Sequence, residues 1–289
     1  MIFLKNKYFM FCAVTLVCFL LFGCSSGNTS RNDTASTETT SQPFTERKVE
    51  DADGTYIFDN ASLLNPDDMK ACNNYAGWLY ENKLINAAVV TANDLEGKTP
   101  LDFAAEKYVE IYEGKGSGLL IFINNATNED IIYRTGSCFT NIGQKSADNA
   151  LFWATKSIVN NDYRNAIMRM LQLGELCPAH MVDNAQIFSY EDIYGFENKL
   201  GECKKDTTVI ATKNGSDTPN EEILKNYYNR KYKSGKGIML MFDMNTRKFI
   251  AYSAEKLPSG LDKALKTAGD LAAKDDITEA MKKLIDALK

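Results

Sequence analysis

The residues of this chain best suited to chemistry are oxygen donors placed where strands end. In the first half they are Asp59, Asn60, Asn124 and Asn125, with Asp67 a turn further on; in the second half they are Asp183 with Asn184, and Asp243. Carboxylates joined by amide oxygens are the donor set a hard cation such as calcium selects. In open α/β sheets ligands gather beyond the carboxyl ends of the parallel strands. The same residues can do local work instead. Asp59 and Asp183 each follow a short apolar stretch and precede a helix start, a place where Asp caps turns. Spacing alone leaves both readings open. Other chemistries are thinly represented. The chain has 1 histidine, His180, so a two-His metal site is excluded and the ring reads as structural or solvent-exposed. The glycine-rich "GKGSG" from Gly114 leads into a strand, not a helix N-terminus, and so lacks the geometry of a phosphate cradle. No Cys-x5-Arg loop occurs. An enzyme built here would have carboxylates alone.

The elements that must position these groups occur twice. "IFDNASLLNPDDM" from Ile57 and "MVDNAQIFSYEDI" from Met181 share apolar-Asp-Asn-Ala followed by a helix start. In the first half "TYIFDNA" predicts a strand. "NPDDMKACNNYAGWLYENK" predicts a helix with Asn65 as N-cap and Pro66 in its first turn. A buried strand "INAAVVTAN", a one-faced helix "PLDFAAEKYVEIYE", a hairpin of "GLLIFIN" and "DIIYRT", and two late helices follow. The second half repeats the order through "TTVIATK", "PNEEILKNYYNRKY", "GIMLMFD", "RKFIAYS" and two final helices, with Ser189 and Asp192 in capping-box positions. Eight elements in one order, twice, indicate a tandem duplication divided near "GELCPAH". Each copy is expected to be an α/β layered domain whose mixed sheet has parallel strands plus an antiparallel hairpin, flanked by helices.

The N-terminus "MIFLKNKYFMFCAVTLVCFLLFGCSSG" has a short basic start and an apolar run, the layout of an export signal. Gly23-Cys24 resembles the lipobox of bacterial lipoproteins, which implies acylation of Cys24 and anchoring to membrane lipid through two chains. Residues 1–23 are then a signal peptide. Residues 24–54, rich in Ser, Thr and Asn, read as a flexible tether. The layered domains are expected at 55–174 and 180–289. A formal charge of -5 argues against nucleic acid as a partner. Four cysteines remain after the signal and Cys24: Cys72, Cys138, Cys177 and Cys203. The helix after the first strand of copy two runs back along it, so Cys203 is expected beside Cys177, in a disulfide contributing about 3.5 kcal/mol in the chain-entropy model. The alternative is four reduced, buried thiols.

Taken together, "IFDNASLLNPDDM", "GKGSGLLIFINNATNEDIIYRTGS" and "NNDYRNAI" resemble the TPM domain, a family of bacterial envelopes and thylakoids. The resemblance covers about residues 55–173. The second half keeps Asp183, Gly237 and the apolar strands, but has "YSAEKLPSG" in place of the Thr-Gly stretch and no Asp-Tyr, and so resembles a diverged copy. The resemblance implies calcium as a ligand of the strand-end oxygens. It also implies a role as a non-enzymatic binding or assembly module for an envelope membrane protein, outside the cytoplasm. Alternatives are a weak acid phosphatase, implied by the same family, and a solute-binding lipoprotein, which also combines a lipobox with two α/β lobes.

Overall fold

The computed structural model describes residues 47 and 49–289, apart from 215–217, 219 and 234. The signal peptide, Cys24 and most of the tether lie outside the described residues. The first half runs β1 (Ile57–Asp59), α1 (Pro66–Asn82), β2 (Ile85–Ala92), α2 (Pro100–Tyr112), β3 (Ser117–Asn124), β4 (Ile131–Thr135), α3 (Ser137–Asn141), α4 (Gln144–Val159) and α5 (Tyr163–Leu171). The second runs β5 (Met181–Asp183), α6 (Tyr190–Gly201), β6 (Thr207–Thr212), α7 (Asn220–Tyr232), β7 (Ile238–Asp243), β8 (Lys248–Tyr252), α8 (Leu261–Ala272) and α9 (Ile277–Asp286). Each half forms one sheet in sequential order, β1-β2-β3-β4 and β5-β6-β7-β8. The first three strands of each are parallel and the fourth is antiparallel. The expected pair of mixed, helix-flanked sheets is therefore what the chain builds.

Local sequence accounts for the element starts. Asn65 accepts the Asp68 amide at 2.9 Å and Pro66 occupies the first turn of α1. Ser189 accepts the Asp192 amide at 3.1 Å. Asp162 caps α5, and Asp276 caps α9 in the same way. The Asp of the Asp-Tyr pair thus serves a helix start, and the second half has an Asp at the matching place, followed by Ile277. Two elements escaped the sequence reading: α3, and a 3-10 turn at 172–176. Gly136 makes α3 reachable. Its φ is +57°, and a Cβ there would stand 2.8 Å from the Ser117 Cα, so the chain turns from β4 into a helix while pressed against β3.

All eight residues of β3 are buried, as a strand covered on both faces must be. Leu119, Ile121 and Ile123 face the cluster of α1 and α5, while Leu120 and Phe122 meet Phe103, Ala104 and Tyr108 of α2. Gly118, the second residue of β3, and Gly237, just before β7, serve this packing. A Cβ at Gly118 would lie 2.2 Å from the Tyr108 ring, and one at Gly237 would lie 2.5 Å from the Tyr232 ring. The halves also share a core: Leu84, at the end of α1, packs among Val182, Ile210, Leu224 and Tyr228 of the second half. Residues just before β1 are not loose, since the Ala52 amide donates to Asn74 Oδ1 at 3.1 Å and Val49 packs against the core of the first half.

Candidate functional site: the carboxyl edges of the two sheets

Asp59 ends β1 and its carboxylate turns back onto the following loop. Oδ1 accepts the Leu63 amide at 3.0 Å and the Thr91 hydroxyl at 2.6 Å, and Oδ2 accepts the Leu64 amide at 2.9 Å. Thr91 is its register partner on β2 and itself accepts the Ala61 amide at 2.9 Å. The result is a closed clasp that shapes the turn into α1. Asn124 does similar work at the end of β3: its Oδ1 accepts the amides of Ala126 at 3.1 Å and Thr127 at 3.2 Å. Asn60 and Asn125 are exposed, and the Asn125 amide group donates to Asn93 Oδ1 at 2.7 Å. Asp67 is exposed in the first turn of α1 and lines a cleft with Arg47, Lys70 and Arg164, which is cationic company. β2 lies between β1 and β3, so Asp59 and Asn124 sit roughly 9–10 Å apart across the sheet. The predicted donors therefore do not converge. Among the described residues no three His, Cys, Asp or Glu side chains come together in a way that could hold a metal ion. The oxygens of Asp59 and Asn124 are engaged by their own loops.

The second sheet repeats the clasp with one part missing. Asp183 is fully buried, and its Oδ2 accepts the amides of Ile187 and Phe188, both at 2.9 Å. Its register partner on β6 is Ala211, where the first sheet has Thr91. No hydroxyl is supplied, and Asp183 Oδ1 is sealed from solvent without a hydrogen-bond partner. Burial pushes the Asp183 carboxyl up, against the pull of the Phe188, Ile187, Gln186 and Ala185 amides. Restoring the hydroxyl with Ala211→Thr is expected to raise stability by about 1 kcal/mol, read as a higher melting temperature. Ala211→Val, of similar bulk without the hydroxyl, should show no gain. A gain equal to that of Thr would mean that bulk and not the missing donor limits the site. Asp243 is satisfied: its carboxylate takes the Thr246 hydroxyl at 2.7 Å, the Asn220 amide group at 3.1 Å and the backbone amides of Asn214 and Asn245. Those bonds outweigh desolvation and hold its carboxyl below the ordinary range.

Asn184 points into the other half. It bonds the Ser117 hydroxyl at 2.5 Å through Oδ1 and the Tyr227 hydroxyl at 3.2 Å through Nδ2, so the carboxyl edge of the second sheet is joined to the opposite end of the first. Arg230 of α7 strengthens the joint. Its Nε donates to the Tyr80 carbonyl at 2.5 Å, its Nη1 to Asn86 Oδ1 at 3.0 Å, and its guanidinium lies 3.3 Å from the Tyr80 ring centroid. Sequence reasoning missed Arg230, since α7 reads as a polar helix with no signal of its partner. It also missed Glu197. That carboxylate accepts the amides of Ala179 and His180 at 2.8 Å and of Met181 at 2.9 Å, with His180 Nδ1 at 3.1 Å. Burial alone would raise the Glu197 carboxyl, but the His180 ring and the Ala179 and His180 amides outweigh it and hold it down at about 2. His180, with Nε2 3.5 Å from Asp206, is a structural linker residue.

The cysteines are arranged differently from expectation. Cys177 lies 3.6 Å from Cys138, sulfur to sulfur, not against Cys203. Cys203 bonds the Lys199 carbonyl at 3.7 Å on α6. The end of α6 does lie beside the start of β5, as the antiparallel course requires, but Glu197 makes that contact with residues 179–181. Cys177 stands just before them and is turned into the core of the first half.

No curated protein matches the chain. Among solved structures, the solution NMR structure of the N-terminal domain of a protein from P. gingivalis is similar at 13% identity, covering 42% of this chain and 80% of that one, with a TM-score of 0.38. The family described as TPM domain matches residues 57–172, a span running from the start of β1 to the residue after α5. The first half of the chain, which carries the Asp59 clasp, is thus the part that is similar to the TPM-domain family.

Proposed function

We propose that this chain is an extracytoplasmic lipoprotein, anchored to the bacterial membrane through an acylated Cys24, that serves as a non-enzymatic binding module for an envelope membrane protein. The observation that carries this reading is an open apolar groove on the TPM domain. It has a volume of about 420 Å³ and is lined by Leu101, Ile131, Tyr133, Phe139, Ala147 and Leu151, with Arg134 and Gln144 at its polar margin. Leu101 is 55% exposed and Phe139 61%, which is costly for large apolar side chains unless something covers them. The groove runs beside β4, the edge strand of its sheet, whose unpaired backbone groups are a template for an added strand. An extended segment with apolar side chains at alternate positions fits such a site by strand addition. The strand-end carboxylates, in contrast, are engaged in loop clasps, which favours binding over hydrolysis.

Capture from crosslinked native membranes tests the reading, using the lipidated protein and a Phe139→Ser form. One membrane protein should be recovered with the first and about tenfold less with the second, since a buried aromatic anchor contributes at least ~1.4 kcal/mol. Equal recovery with both forms would remove the groove from the function. Turnover of a phosphate ester by the soluble part would favour the phosphatase alternative.

A further inference from the structure

Two sulfurs in the core of the TPM domain bear on how the second half is held. Cys138 sits on α3 and Cys177 lies in the connection to β5; both are buried, and their sulfur atoms are 3.6 Å apart across a sequence separation of 39 residues. A disulfide needs a sulfur separation of ~2.05 Å, so closure asks for about 1.5 Å of movement. The residues after Cys177 are held from the other side, where Glu197 of α6 accepts the amides of Ala179, His180 and Met181. Lys83 adds a hydrogen bond to the Cys177 carbonyl at 2.7 Å. The connection between the halves is thus gripped by each of them within a few residues.

We propose that Cys138 and Cys177 form a disulfide in the exported protein, a covalent staple that fixes the connection, and through it the second half, to the TPM domain. The oxidant is a protein disulfide, the oxidised dithiol of an envelope thiol oxidase. A thiolate of one cysteine attacks that disulfide to give a mixed disulfide, and the thiolate of the other displaces the oxidant. The chain gains one sulfur–sulfur bond. It loses two electrons and two protons, which reduce the oxidant to its dithiol. Because both thiols are buried in the folded protein, exchange takes place before the core closes over them. Cys72 shares the same core and Cys203 bonds the Lys199 carbonyl on α6; neither is part of the proposed staple. The supply of oxidant rests on export, whereas the pairing rests on the fold alone.

The test has two arms on the full chain. In the first, free thiols are trapped with N-ethylmaleimide in intact cells and the chain is mapped by non-reducing peptide mass spectrometry. The expected result is a linked Cys138–Cys177 peptide pair with Cys72 and Cys203 alkylated. In the second, the reduced chain is refolded in a glutathione redox buffer, where export plays no part. The same pair should form, and reductant should then lower the melting temperature of the wild type while leaving a Cys138→Ala, Cys177→Ala double variant unmoved. Alkylated Cys138 and Cys177 in a processed chain, or any other pairing in the refolded one, overturns the proposal. If the cellular chain retains residues 1–23, the export reading fails and the refolding arm alone decides the pairing.

Discussion

Glu197→Gln is expected to remove about 3 kcal/mol of stability at neutral pH and much less in acid. The carboxyl is lowered from 4.5 to about 2 in the folded protein, and its side chain is only 20% exposed, so solvent screens the effect little. The sign follows from that direction. A depressed acid binds fewer protons folded than unfolded, so its contribution is complete above about pH 4.5 and is lost as pH falls toward 2. Near pH 3, roughly 1.4 kcal/mol should remain. Urea midpoints for wild type and variant at pH 7 and pH 3 measure both values, and hydrogen exchange at Ala179, His180 and Met181 should rise in the variant at pH 7. A difference in midpoint that stays constant with pH would assign the grip to shape instead of charge.

Asp59→Ala is expected to cost a further large amount, about 3 kcal/mol, because one truncation leaves the Leu63 and Leu64 amides and the Thr91 hydroxyl without their acceptor. Loss of protection should centre on the loop between β1 and α1. Asp59→Asn, which keeps one acceptor oxygen, should cost less. Asp183→Ala should also cost less than Asp59→Ala, since Asp183 has only its Oδ2 bonded and carries a buried, orphaned Oδ1. Chemical denaturation of the three variants ranks them. Equal costs for Asp59→Ala and Asp183→Ala would mean that the Thr91 hydroxyl adds nothing to the clasp.

The Asp that ends the first strand of each sheet therefore has a structural meaning. Both halves use it to turn the chain from the first strand into the first helix, and they differ in the residue that faces it from the next strand. The first sheet leaves its apolar groove along β4 open. In the second, the carboxyl edge is joined to the first half through Asn184. The second half has the same layered arrangement and uses its strand ends as a joint.

Element order, helix starts and the mixed sheets were legible in the sequence because each depends on neighbours within a turn or a strand. Asn65 and Ser189 cap from three residues away, and the continuous apolar run of β3 marks a strand covered on both faces. The short helix α3 was not legible, because five residues carry too little periodicity and Gly136 acts through its contact with β3. The partners of the chemical groups also required the tertiary structure. Asp59 finds Thr91 across 32 residues, Cys177 finds Cys138 across 39, Asn184 finds Ser117 across 67 and Arg230 finds the Tyr80 carbonyl across 150. Side-chain type states what a group can do. Only packing, which sets distances to within a fraction of an ångström, decides whether two such groups meet, and here it folded Asp59 and Asn124 into loop clasps and set Cys177 beside Cys138.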